Sequence, residues 1–151
     1  MRLGPPTAAE PSASYRRWPE VDNRPVAASN VVLKRAYEPP ESTDGTRILV
    51  DRLWPRGVSK AEARLDEWIK EIAPSAELRT WFGHDPRRWD EFRQRYRAEL
   101  AQHSEMLKDL RRRAREGRIT LVYSARDEVH NDAVVLRDVL LGRAERKWST
   151  S

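Results

Sequence analysis

Two short segments concentrate the residues that can do chemistry. One is Asp51-Arg52-Leu53-Trp54-Pro55-Arg56-Gly57, directly after the apolar run Ile48-Leu49-Val50. The other is Tyr123-Ser124-Ala125-Arg126-Asp127 with His130-Asn131, directly after Ile119-Thr120-Leu121-Val122. In open α/β sheets, ligands bind beyond the carboxyl ends of strands. If the two strands are parallel neighbours, these segments face each other across one crevice. The chemistry they suggest is anion recognition. Arg52, Arg56 and Arg126 present forked donors that match carboxylate or phosphate bidentately. A helix starting near Asn131 adds free N–H groups and a favourable dipole. Asp51 can orient an arginine or act as a general base, and His130 is a second acid–base candidate. Trp54, Trp81, His84 and Tyr123 are the expected walls. The plainer reading is that Asp51 and Arg52 pair to tie down the strand end, and that His130 belongs to a capping loop.

His84, in Trp81-Phe82-Gly83-His84-Asp85-Pro86, is a second catalytic candidate. Its plainer role is to pack on Trp81 while Asp85 caps a helix. Ser124 ends a strand but lacks the flanking glycines of a nucleophile elbow. The three histidines form no close ligand pair, so no metal is expected. There is no Gly-rich phosphate loop and no cofactor signature. Zero Cys excludes thiol catalysis, Cys-ligated zinc, iron–sulfur clusters and disulfides.

The elements that must position these residues follow from spacing. Val31–Tyr37 reads as a strand stopped by Pro39-Pro40. Residues 48–50 centre a second strand after the turn Asp44-Gly45. The short connection makes this pair antiparallel by length alone. Ser59 and Glu62 have the spacing of a capping box. Leu65, Trp68, Ile69 and Ile72 then fall on one helical face, up to Pro74. Ser75 caps a turn through Leu78, Trp81 and Phe82. Asp85-Pro86 opens a helix carrying Trp89, Phe92, Tyr96 and Leu100. That aromatic stripe is expected in the core rather than as a base-stacking platform. Ser104 caps the next helix, which Gly117 ends. Residues 119–123 form a strand buried on both faces, and Asn131 caps a last helix with Val134, Val135, Val139 and Leu140. Alternating strands and helices predict an α/β fold, a small three-layer sandwich with a sheet flanked by helices.

The chain of 151 residues has room for one domain. Residues 1–30 are Pro- and Ala-rich without hydrophobic period and are expected to be a disordered extension. Residues 31–141 are the single α/β domain, and residues 142–151 a flexible tail. The net charge is +5. Residues 31–141 hold 22 cations and 20 acids, so the domain itself is nearly neutral. Arg supplies 24 of the 29 cations. The run Arg111-Arg112-Arg113-Ala114-Arg115 invites a nucleic-acid reading. On a helix it wraps the circumference instead of forming a stripe, and a solvated face is the better expectation. No apolar run approaches the ~20 residues of a membrane span, and a cytoplasmic setting is expected.

Four segments resemble a known bacterial family, the domain of unknown function 488 in its short YeaO-like branch. They are VVLKRAYEPP, DGTRILVDRLWPRGVSK, LDEWIKEIAPSAELRTWFGHDPRRWDEFRQRYRAEL and ITLVYSARDEVHNDAVVL. Together they cover about residues 31–141. The resemblance implies a mostly parallel sheet whose first connection is a shortened crossover. The longer branch carries a Cys in its counterpart of the final loop. A thiol role does not carry over to this Cys-free chain. Asp132 stands where the short branch often has His or Gln. The resemblance implies no particular reaction. Two expectations follow. The first is a domain or enzyme that binds a small anion, with Asp51, His130 and His84 as catalytic candidates. Arg52, Trp54, Arg56, Trp81, Tyr123, Arg126 and Asn131 would be its binding residues. The second is a non-catalytic module for nucleic acid or protein, using the Arg-rich helix end and the tails.

Overall fold

The computed structural model describes residues 24–143. The proline-rich extension through residue 23 and the tail from residue 144 lie outside the described residues, as do Trp18 and Trp148. Among the described residues, four strands run in chain order: β1 (Val31–Arg35), β2 (Thr46–Leu49), β3 (Glu67–Trp68) and β4 (Ile119–Tyr123). They form one sheet in the order β1-β4-β2-β3, and every pairing is parallel. Five α-helices accompany them among the described residues: α1 (Lys60–Ala63), α2 (Ala76–Phe82), α3 (Trp89–Leu100), α4 (Ser104–Glu116) and α5 (Asp132–Leu140).

The antiparallel pairing expected of the first two strands does not form. β1 and β2 are not neighbours, because β4 inserts between them and pairs parallel with both. The short connection is possible because it folds on itself. A 3-10 turn at Ser42–Asp44 brings Asp44 under the sheet, where its carboxylate receives the Lys34 ammonium at 3.1 Å and Arg47 at 2.7 Å. Gly45 completes the turn at φ +67°, with Arg118 O against its α-carbon.

The sequence from Leu65 to Ile72 also departs from expectation. It is not one helix. Glu67–Trp68 joins the sheet as β3, and Lys70–Ile72 makes a single 3-10 turn. Four apolar residues at helical spacing do not distinguish a helix from a short edge strand followed by a turn. Ser104 does not cap α4. It is the first residue of that helix, and a 3-10 turn at Ala101–His103 links α3 to it.

Other local signals act as expected. Ser59 and Glu62 form a reciprocal capping box. Ser75 Oγ accepts from Leu78 N, Asp85 from Arg87 N, and Asn131 Oδ1 from Val134 N. Each satisfies an N–H that its turn leaves open.

β4 is buried along its whole length, and its side chains divide the core. Ile119, Leu121 and Tyr123 face the helical layer with Val31 and Ile48. Phe82, Phe92 and Tyr96 lie in that layer, with the Phe82 and Phe92 rings stacked at 4.3 Å. The aromatic stripe is therefore core. The opposite face is thinner. There Val122, Leu49 and Ala36 pack against Trp54, Leu65 and Trp68. Arg47 reaches the Ala63 carbonyl of α1 on this side.

Candidate functional site

The carboxyl ends of β2 and β4 open into one cavity of about 800 Å³. Asp51 follows β2 and Ser124 follows β4. Asp51 Oδ2 accepts from Ser124 N at 2.9 Å and from Ser124 Oγ at 2.8 Å. This pair bridges the two strand ends. Asp51 therefore does not tie itself to Arg52. Its main-chain carbonyl accepts from Trp68 Nε1 at 2.7 Å. Trp54 Nε1 donates to Val58 O at 2.6 Å, and its ring meets Trp68 edge-on at 5.5 Å. The two indoles thus fix the loop that carries Arg52 and Arg56.

Beyond β4, Arg35 donates from Nε to Ala125 O at 2.9 Å and from Nη2 to Ser124 O at 3.1 Å. Asp127 organises the following turn. It accepts from Val129 N and His130 N, both at 2.9 Å, and from the His130 ring at 2.9 Å. These donors hold the Asp127 carboxyl at about 2. The His130 ring also meets Trp89 edge-on at 5.2 Å. Asn131 is buried, and its Nδ2 donates to Asp127 O at 2.8 Å while its Oδ1 caps α5.

The cavity collects Asp51, Arg52, Trp54, Arg56, His84, Arg126, His130 and Asn131 from the residues the sequence singles out. Trp81 and Tyr123, expected as walls, stand outside its lining. Trp81 packs against the core and carries the guanidinium groups of Arg95 and Arg88 on its ring, at 4.4 and 5.3 Å. Tyr123 is buried in the core on the helical side of the sheet. His84 sits in a left-handed backbone conformation at φ +57° and leans on Phe82, not Trp81.

Sequence reasoning missed two lining residues that matter. Arg79 of α2 faces Asp51, and its charge favours the ionised form of that acid. Asp132, the first residue of α5, lines the same cavity, and its acid and that of Asp51 act on each other electrostatically. Burial raises the pKa of both acids. It raises that of Asp132 most, and the Asp51 charge adds to the effect. Two acids that interact in this way resist being ionised together. The departure from the family pattern at Asp132 was the available signal.

The arginines divide by what holds them. Arg52 spends Nε and Nη2 on Pro74 O, at 3.3 and 3.1 Å. Among the described residues, no hydrogen bond or ion pair engages the guanidinium of Arg56, Arg79 or Arg126. No group of three or more His, Cys, Asp and Glu among the described residues is arranged to hold a metal ion. No described helix is long and apolar enough to cross a membrane.

The chain has close bacterial relatives. It is 50% identical over 111 residues to the uncharacterized protein YeaO of Escherichia coli K12, covering 74% of this chain and 96% of that protein. It is 42% identical over 118 residues to the uncharacterized protein Rv3073c of Mycobacterium tuberculosis H37Rv, covering 78% of this chain and 99% of that protein. No solved structure matches. The profile of the family described as the inactive DUF488-N3 subclade matches residues 30–151, and the chain belongs to that family.

Proposed function

We propose that this chain is a binding domain for a small anionic, phosphate-bearing molecule, held in the cavity at the ends of β2 and β4. One observation carries the reading. Arg56, Arg79 and Arg126 converge on one concave site without a protein partner among the described residues. Guanidinium groups gathered in a cavity favour an anion there. The description of the family as inactive supports binding over catalysis.

The Arg-rich end of α4 offers less to nucleic acid. Arg111 donates to Val139 O and Leu140 O, and Arg113 binds Glu67 and Asp109. Arg112 pairs with Asp109 and Glu116, and Arg115 donates to Arg24 O. Guanidinium groups already committed to the fold are poor phosphate clamps.

Thermal-shift titration with inorganic phosphate tests the reading. Wild type gains melting temperature as phosphate saturates, and Arg79→Ala and Arg126→Ala each weaken that response by about tenfold in apparent affinity. An unchanged melting temperature in wild type contradicts it.

A further inference from the structure

The cavity carries two kinds of chemistry. Arg56, Arg79 and Arg126 line it, and so do the acids Asp51 and Asp132. Asp51 Oδ2 is occupied by the main-chain and hydroxyl donors of Ser124. Its other oxygen and the Asp132 carboxyl supply further acceptors. A second anion placed there would meet like charge. A neutral hydroxyl would not, because it donates to a carboxylate. The apolar side is also present, since exposed Leu53 and half-buried Trp54 line the same cavity. They give the carbon skeleton of a ligand a surface to lie on.

From this arrangement we infer that the Asp51–Asp132 pair is a hydroxyl-recognition site, and that the ligand class is a phosphorylated polyol, a sugar phosphate. Its phosphate lies at Arg79 and Arg126 and its hydroxyls reach the acid pair. The volume of about 800 Å³ accommodates such a molecule. The inference rests on the anion-binding reading above and deepens it. Asp51 and Asp132 act here as binding residues, and no bond is made or broken.

Three probes separate the possibilities by isothermal titration calorimetry on the full chain: ribose 5-phosphate, ethyl phosphate and phosphoethanolamine. Wild type is expected to bind ribose 5-phosphate at least about tenfold more tightly than ethyl phosphate, the size of one charge-assisted hydrogen bond. Asp132→Ala is expected to erase that preference while ethyl phosphate still binds. The comparison between probes in wild type does not depend on how well the variant folds. Equal affinity for ribose 5-phosphate and ethyl phosphate overturns the inference and leaves the anion site standing. Preference for phosphoethanolamine also overturns it, since the pair would then serve an ammonium group. Failure of all three probes to bind overturns both readings.

Discussion

Asp51, just after β2, and Asp132, in the first turn of α5, line one cavity, where the Asp51 charge adds to burial in raising the pKa of Asp132. Burial raises both pKa values, so ionising both acids costs the folded state stability. The folded state holds more protons than the unfolded chain, and stability falls as pH rises above the unfolded value of 3.8. Asp132→Asn removes that cost. Its melting temperature should exceed that of wild type at pH 7.5, and the advantage should shrink as pH falls toward 3.8 and below. Thermal melts of both proteins across pH check this. A variant less stable than wild type at pH 7.5 would remove the strained pair from the account.

Asp127 makes the opposite linkage. Its carboxyl is held at about 2, below the unfolded value of 3.8, by the N–H groups of His130 and Val129 and the His130 ring. Its stabilisation is present above 3.8 and is lost as pH falls through about 2. Asp127→Ala should lower the melting temperature at pH 7 by about 2–6 °C, the usual scale for losing one capping side chain. The difference from wild type should close in strong acid.

Among the described glycines, Gly45 has the least room for a side chain. It has φ +67°, and a Cβ there would lie 2.1 Å from Arg118 O. Gly45→Ala should cost about 3 kcal/mol or more, measured by urea unfolding. A cost below about 1 kcal/mol would show that the turn between β1 and β2 can move away from Arg118.

Arginines in the α4 run should separate by attachment. Arg111 holds the last carbonyls of α5, so Arg111→Ala should destabilise by about 1 kcal/mol. Arg112 has only exposed partners, and Arg112→Ala should leave stability unchanged. Equal effects of the two in urea melts would contradict this division.

Much of the scaffold was legible because it is written in local chemistry. Ser59 with Glu62, Ser75, Asp85 and Asn131 each satisfy N–H groups a few residues away. The unbroken apolar run of β4 announced a central strand. Strand order was not local. The rule linking a short connection to an antiparallel hairpin fails when a later strand enters between the two, as β4 does. The edge strand β3 has only Glu67 and Trp68, too few residues to show a period. At the site, strand ends drew attention to Asp51, Arg56 and Arg126. Arg79 escaped because it reads as an ordinary polar residue on a short helix. Asp132 escaped because an acid in the first turn of a helix has a sufficient local reason to be there. Only the tertiary fold sets it against Asp51.

The most direct measurement of the central claim is a phosphate titration followed by amide chemical shifts in the folded chain. The account predicts saturable shifts at Arg79, Ser124, Arg126 and Asn131, around the cavity, and their loss in Arg126→Ala. Shifts confined to Arg111, Arg112 and Arg113, or no saturable shift at all, would contradict it.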